Sequence, residues 1–286
     1  MKNNILVTGA NGQLGSEFQN LSNNFPTFNF YFCNRSTLDI SNSEAIRAFI
    51  TKNNINTIIN CAAYTAVDNA EDDAENANLI NHIAVENLAI ISKEKHIKLI
   101  HISTDYVFNG TNHIPYSETD KTAPIGVYGN TKHNGEKAIL KINPANSIII
   151  RTAWVYSSFG NNFVKTMLRL ATERDQLGII YDQIGSPTYA KDIAKTILNI
   201  LPQINNENTE VYHFTNEGVC SWFDFAKAIF DIKNIKCEVK AIPSSAYPTK
   251  AKRPHYSVLN KTKIKDTFDI QIPYWRDSLK ECLDKL

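Results

Sequence analysis

Ile5-Leu6-Val7-Thr8 runs directly into Gly9-Ala10-Asn11-Gly12-Gln13-Leu14-Gly15, and no other stretch constrains the fold as much. A short apolar run of this kind reads as a fully buried strand, and the residues to about Leu21 read as a helix. Strand, glycine turn and helix in that order form the unit that cradles phosphates in dinucleotide folds. The first N–H groups of the helix are free, and its dipole favours an anion. Gly9 permits the tight turn, Gly12 lets a pyrophosphate approach backbone N–H groups, and Gly15 lets helix and strand pack closely. The spacing is G-x-x-G-x-x-G rather than G-x-G-x-x-G. Its place after the first strand is what favours a ligand site over a plain tight turn.

A regular alternation follows. Phe28 to Cys33 reads as the second strand. An NAD-preferring site carries an acid about 20 residues past the glycines. Here that place holds Cys33-Asn34-Arg35-Ser36, and Arg35 can pair with a 2′-phosphate, which tilts the cofactor toward NADP(H). The alternative is a solvated loop arginine. Leu38-Asp39-Ile40 is placed to flank an adenine. Ser41 to Glu44 has capping-box spacing and predicts a helix to about Asn53. Thr57 to Cys61 is a third buried strand, and Ala62 and Ala63 at its C-terminal end leave room for a ligand. The acidic stretch Asp68 to Glu75 predicts the opening of one long helix reaching about Lys95, its acids suiting the macrodipole. Lys98 to Ser103 is the fourth strand, residues 109–124 form a turn-rich loop, a helix runs from about 126 to 142, and Ser147 to Thr152 is a further strand.

Strand–helix alternation of this kind predicts an α/β fold, a Rossmann-type doubly wound parallel sheet with helices on both faces. Beyond it come a helix at 160–174, a strand at 178–182, a helix at 189–201 and a strand at 211–215. A helix opening at Ser221 carries Trp222, Phe223 and Phe225, which read as core; Glu238 to Ile242 reads as an edge strand, and 274–285 as a final helix. Residues 1–155 are expected to form the dinucleotide-binding domain, with 185–203 returning to it. Residues 156–184 and 204–286 mainly form a smaller α/β substrate domain capping the crevice. The proline-bracketed basic loop Tyr247 to Pro254 can clamp a diphosphate or serve as a solvated linker.

The chemistry concentrates between Ser103-Thr104-Asp105-Tyr106 and Tyr128-Gly129-Asn130-Thr131-Lys132. On a helix, positions i and i+4 share a face, so Tyr128 and Lys132 point the same way. A free phenol titrates near pH 10, and a neighbouring ammonium lowers that value. Thr104 can hold the same carbonyl oxygen that Tyr128 protonates, an arrangement suited to hydride transfer. Tyr-x-x-x-Lys alone proves nothing, because chance supplies such a pair in a chain with 12 Tyr and many Lys. The weight comes from convergence: the glycine turn, Ala62-Ala63, Thr104 and the start of the Tyr128 helix all fall at one sheet edge.

Composition excludes several classes. The chain has 286 residues and a net charge of +1, so no strong field draws it to nucleic acid or to an acidic membrane. Its 5 cysteines are scattered without a Cys-x-x-Cys, which fits reduced thiols rather than a disulfide framework or a zinc site. The apolar start is too short for a signal peptide, and no run approaches membrane-spanning length, so the expectation is cytoplasmic.

Taken together, Thr8 to Gly15, Ala62 to Asp68, Ser103 to Phe108, Tyr128 to Lys132, Arg151-Thr152-Ala153-Trp154-Val155-Tyr156, Gly160-Asn161-Asn162-Phe163 and Arg253-Pro254 resemble the dTDP-4-dehydrorhamnose reductase family. That family lies within the extended short-chain dehydrogenase/reductase superfamily. The resemblance spans essentially the whole chain. It implies Thr104, Tyr128 and Lys132 as catalytic residues. It implies a cofactor lining of Gly12, Gln13, Leu14, Asp39, Ile40, Ala63, Tyr64 and Thr65. Thr104, Asp105, Tyr106 and Trp154 would meet a sugar nucleotide, with Val67, Asn162 and Arg253 as further substrate contacts. The implied reaction is reduction of the C4 ketone of dTDP-4-dehydro-β-L-rhamnose by NADPH, with NADH as the alternative cofactor. The implied state is a monomer or homodimer. Some members hold Mg2+ with acidic side chains; no such cluster maps here, where Ser16 follows the last glycine and Glu17 stands one place later. Nucleotide-sugar 4,6-dehydratases carry an Asp-Glu pair after the active-site Thr, whereas Asp105 is followed by Tyr106. Another nucleotide-sugar 4-ketoreductase and a non-catalytic NADP-binding regulatory subunit are the competing readings.

Overall fold

The computed structural model describes residues 3–286. In chain order the first half comprises β1 (Asn3–Thr8), α1 (Gln13–Leu21), β2 (Phe28–Cys33), α2 (Ser43–Asn53), β3 (Thr57–Asn60), α3 (Val67–Ala70), α4 (Ala74–Asn78), α5 (Ala84–Lys95), β4 (Lys98–Thr104), α6 (Val127–Ile142) and β5 (Ile148–Thr152). The second half comprises β6 (Val155–Tyr156), α7 (Phe163–Glu173), β7 (Gln176–Ile180), β8 (Ile184–Gly185), β9 (Thr188–Tyr189), α8 (Ala190–Ile200), β10 (Glu210–His213), β11 (Cys220–Ser221), α9 (Trp222–Lys233), β12 (Glu238–Ile242), α10 (Thr262–Phe268) and α11 (Trp275–Leu283).

Six strands make one parallel sheet in the order β10-β5-β4-β3-β1-β2. Strand periodicity explains its two covered faces, since successive side chains point to opposite sides. Ile5 and Val7 of β1 go to one face with Leu14, Phe18 and Leu21 of α1 and Ile193, Ile197 and Leu198 of α8. Leu6 goes to the other with Ile46 and Ile50 of α2, Leu88 of α5 and Ile139 of α6. The chain leaves β1 in one direction for β2 and in the other for β3, so the switch point lies between β1 and β3, where open α/β sheets bind ligands.

A third apolar cluster lies apart from these two. Tyr156, Val164, Met167, Leu177, Phe225, Ile229 and Leu279 bring α7, α9 and α11 together against the two-stranded parallel pair β7–β12. Two pieces expected in that smaller unit lie with the large sheet instead. β10 pairs with β5, and Ile264 and Phe268 of α10 join the first cluster. The reason is register: an apolar Val211/Tyr212 strand completes the sheet edge, and α10 covers it. No start signal marked α10, whose N-cap, Lys261, makes no side-chain cap; only the i, i+4 pair Ile264/Phe268 hints at it.

Two helix starts differ from expectation. Asn42, not Ser41, caps α2, accepting from Ala45 N–H at 3.0 Å. Ser41 is engaged one step earlier, donating from N–H and Oγ to Asp39 Oδ1 at 2.9 and 2.8 Å. The long helix expected from Asp68 is broken into α3, α4, a π-turn at Leu79–Ile83, and α5. Asp68 and Glu75 stand in the first turns of α3 and α4, as expected of acids at helix starts, and two of the acids also take tertiary partners: Asp68 takes Arg253 and Asp72 takes Lys250. The π-turn aims Asn81 at the backbone of Tyr64, accepting from its N–H at 2.9 Å and donating to its C=O at 3.1 Å. Single π-turns of this kind cluster at functional sites.

Candidate active site

The glycine turn is built for close approach. Gly9 has φ +64°, and a Cβ there would stand 2.7 Å from Ala62 N. A Cβ on Gly15 would stand 2.6 Å from Ala10 Cα. These two glycines let β1, β3 and α1 converge. Gly12 is the N-cap of α1; it supplies no side-chain cap, and the first turn carries no acid. The helix therefore presents free N–H groups and the positive end of its dipole, a seat for a phosphate. The Leu14 side chain is buried in the core, so only its backbone can face a ligand there.

Beside this turn lies a cavity of about 220 Å³ lined by Gly9, Arg35, Asp39, Ile40, Ala62 and Ala63, among others. A second hollow joins Gly9, Asn11 and Gly12 to Asn34, Arg35 and Ser36. Arg35 thus borders both. Its side chain is 80% exposed and only 3.9 Å from Asp39 Oδ2, a loose pairing that leaves the guanidinium available. Asp39 is held below the usual carboxylate range by its bonds from Ser41. Tyr64 stays beside this cavity through Asn81, and Thr65 follows it on the exposed surface.

At the end of β4, Thr104 Oγ1 donates to Asp105 Oδ1 at 3.0 Å and accepts from Tyr106 N–H at 3.2 Å. Asp105 is buried, and its Oδ2 has no partner among the described residues. Burial pushes its carboxyl up to about 6, opposed by the Thr104 hydroxyl. Gly129 lets α6 reach this strand end, because a Cβ there would collide with the Tyr106 backbone. Tyr128 consequently sits against Tyr106, rings edge-on with centroids 5.4 Å apart.

The electrostatics of the Tyr128–Lys132 pair differ from the reading that the ammonium lowers the phenol. Burial pushes Tyr128 up to about 12; the adjacent Thr104 hydroxyl pulls it down, and Asp105 pushes it up further. Lys132 is turned to the floor of the site, donating to Ile102 C=O at 2.6 Å and lying 3.3 Å from His101 Nε2. Burial brings its ammonium down to about 8, against the pull of Glu136 and Cys61.

Beneath the strand ends, Glu136 of α6 accepts from Arg151 Nε at 3.0 Å and Nη2 at 2.8 Å, and from Ser103 Oγ. Arg151 also lies over the Phe108 ring at 5.2 Å. A bidentate buried pair fixes α6 against β4 and β5.

The smaller layer supplies the opposite wall. A cavity of about 580 Å³ is lined by Tyr106, Trp154, Met167, Trp222, Tyr247 and Arg253, among others. Trp154 has φ +49°, uncommon for a bulky side chain, and stacks on Trp222 with centroids 3.6 Å apart. Gly185 makes room for it. Trp222, read as core from the sequence, is a wall of this cavity; only Phe225 is fully buried. The missed signal was the Ser221/Asp224 capping box, which puts Trp222 at the first helical position, at the rim rather than the interior. Arg253 points to Asp68, donating to Oδ1 at 3.0 Å and Oδ2 at 2.7 Å, so the basic loop is docked on α3 at the cavity mouth. Val67 begins α3. Asn162 caps α7 and donates to Gln13 Oε1 at 2.9 Å, bracing the glycine helix rather than lining the large cavity.

A dinucleotide turn at a parallel-sheet switch point, with Thr, Tyr and Lys along the same edge and a second layer closing a cavity over it, defines the extended short-chain dehydrogenase/reductase class. The RmlD substrate binding domain family matches residues 1–286. A dTDP-4-dehydrorhamnose reductase from Aggregatibacter actinomycetemcomitans is 43% identical, over 96% of this chain and 97% of its own. The crystal structure of a dTDP-4-dehydrorhamnose reductase from Clostridium acetobutylicum ATCC 824 superimposes with a TM-score of 0.92 at 40% identity, covering 98% of both chains. That of the Bacillus anthracis str. Ames reductase in complex with NADP gives 0.95 at 37% identity, covering 100% of both. The chain belongs to the dTDP-4-dehydrorhamnose reductase family.

Among the described residues no cluster of His, Cys, Asp and Glu is arranged to hold a metal ion. Glu17 accepts from Ser157 Oγ at 2.7 Å, and the nearby Glu281 pairs with Lys191 and Lys285. Glu17 Oε2 has no hydrogen-bond partner among the described residues. No helix among the described residues is long and apolar enough to cross a membrane.

Proposed function

We propose that this protein reduces the C4 ketone of dTDP-4-dehydro-β-L-rhamnose to give dTDP-β-L-rhamnose, with NADPH as reductant. The observation that carries the reading is the meeting of Thr104 and Tyr128 at the sheet edge, with Tyr128 packed on Tyr106, which lines a cavity large enough for a sugar nucleotide. The cofactor's nicotinamide supplies the hydride when bound. The Thr104 hydroxyl and the Tyr128 phenol hold the ketone oxygen, and Tyr128 gives it a proton. With its pKa near 12, the phenol carries that proton throughout the neutral range. Lys132, an ammonium below about pH 8, keeps positive charge one helical turn away.

Gly9, Gly12 and Gly15 seat the pyrophosphate, with Gln13 and the backbone of Leu14 beside it. Ala62, Ala63, Tyr64, Thr65, Asp39 and Ile40 flank the cofactor. In this reading Arg35 takes the 2′-phosphate, and Trp154 on Trp222 offers a flat apolar face to the nucleotide sugar. Asp105, buried under the strand end with one oxygen on the Thr104 hydroxyl, meets the sugar in this reading through that hydroxyl. Arg253 exchanges Asp68 for diphosphate oxygens, bidentate in both pairings. In domain terms, residues 1–155 and 185–203 bind the cofactor together with β10 and α10, and the remainder binds substrate.

Arg35→Ala is expected to weaken NADPH binding about tenfold and to leave NADH unchanged, read by fluorescence titration of both cofactors. Equal losses would remove Arg35 from recognition of the 2′-phosphate. The reaction itself is tested by following NADPH absorbance with dTDP-4-dehydro-L-rhamnose and identifying the product by NMR. The rhamnose configuration supports the proposal. The C4 epimer would make the protein a different 4-ketoreductase. Tight NADPH binding without turnover would favour a regulatory binding subunit.

A further inference from the structure

Lys132 does not project freely from α6. Its side chain is 2% exposed, and it rests on two acceptors of β4, Ile102 C=O and His101 Nε2. The other His101 nitrogen, Nδ1, lies 3.0 Å from the Asn60 amide, and Thr8 Oγ1 donates to the far side of that amide at 2.6 Å. Thr8 and Asn60 are register partners on β1 and β3, and Asn60 and His101 are partners on β3 and β4. A line of polar side chains therefore crosses three strands at one level. It begins at the residue before Gly9 and ends at the Lys132 ammonium. All four residues are buried, so the line does not carry protons in from solvent; what it can do is fix geometry.

Its bonding pattern follows from donor capacity. An ammonium only donates, so His101 Nε2 accepts and the ring proton sits on Nδ1, facing Asn60. A half-turn of the Asn60 amide sets its oxygen against Nδ1–H and its nitrogen against Thr8 Oγ1, exchanging two atoms that differ little in shape. We propose that His101 is a positioning residue of the reductase site. It is a neutral imidazole, locked in one tautomer by Asn60 and Thr8, that accepts from the Lys132 ammonium and sets its place and its proton affinity. Burial and the adjacent Lys132 drive the imidazole well below its ordinary pKa, so it stays neutral. The other titratable groups around Lys132 are Cys61 at the end of β3 and, from its own helix, Tyr128 and Glu136, the last engaged by Arg151.

This inference rests on the proposed role of Lys132, and its primary test does not need turnover. The Lys132 titration is followed by NMR of 13Cε-labelled lysine in the NADPH-loaded enzyme and assigned by difference with Lys132→Met. His101→Phe keeps an aromatic ring and removes the acceptor. It is expected to lower the Lys132 midpoint by about one pH unit, and the high-pH limb of kcat by the same amount. His101→Gln, which restores an acceptor oxygen, is expected to return both. An unchanged midpoint in His101→Phe, or equal shifts in Phe and Gln, would overturn the proposal by reducing His101 to packing. If His101→Phe does not fold, Asn60→Leu must shift the midpoint in the same direction, and no shift there overturns it equally. A wild-type enzyme without turnover whose Lys132 midpoint still responds to His101→Phe would remove the reductase reading and leave the contact standing.

Discussion

Tyr128→Phe is expected to lower kcat about a thousandfold, the range for losing one general acid, while NADPH affinity stays within about twofold. The side chain loses only its hydroxyl. The ring keeps its edge-on packing against Tyr106, and the cofactor cradle is made by Gly9, Gly12, Gly15 and the residues around Ala62. The phenol has no substitute at that position, because Thr104, the hydroxyl beside it, is an aliphatic alcohol and a far weaker acid than a phenol. Stopped-flow turnover and a cofactor titration on the same preparation separate the two quantities. Near-normal turnover would remove Tyr128 as the proton donor; a parallel loss of NADPH binding would show that the substitution damaged the fold.

The largest stability effect is expected below the site rather than in it. Glu136→Gln leaves the Arg151 guanidinium, 4% exposed, without its counter-charge. Breaking a buried pair from one side typically costs about 3–5 kcal/mol, roughly a 10 °C fall in Tm for a chain of this size. The pH dependence has a definite sign. Burial opposes the Glu136 carboxylate, but His133, Arg151 and Ser103 together hold it down at about 2, below its ordinary value of 4.5. The contribution is therefore fully present above about pH 4.5 and is lost as pH falls toward about 2. Wild type should lose stability across that window, and the Gln variant should lack that component. Denaturant melts at several pH values read both, and parallel curves for the two proteins would refute the assignment.

Much of the sheet was legible because its signals are local. Ile5 to Val7, Ile58-Ile59 and Ile148 to Ile150 are short apolar runs that a buried parallel strand requires, and the glycines after Thr8 mark the turn by steric need alone. Thr104 and Tyr128 were legible as neighbours because strand ends and a following helix meet at one edge. Features set by distant partners were not. Asp68 is taken by Arg253, 185 positions away, a partner that no local pattern announces. Trp222 reads as core by composition and becomes a cavity wall because Trp154, in a left-handed backbone conformation, stacks on it. Helical spacing put Lys132 on the face of Tyr128, but its ammonium turns to Ile102 and His101, a choice made by the carbonyl and the ring that the β4 backbone offers.

In the proposed reaction Thr104, Tyr128 and Lys132 mark the place where hydride reaches C4 of a nucleotide-sugar ketone. The most direct test is turnover with NADPH carrying deuterium on the nicotinamide C4, followed by NMR of the sugar. One deuterium is expected on sugar C4, in the rhamnose configuration, with a rate that collapses in Tyr128→Phe without loss of the label's position. Deuterium absent from sugar C4 while NADPH is consumed would contradict it.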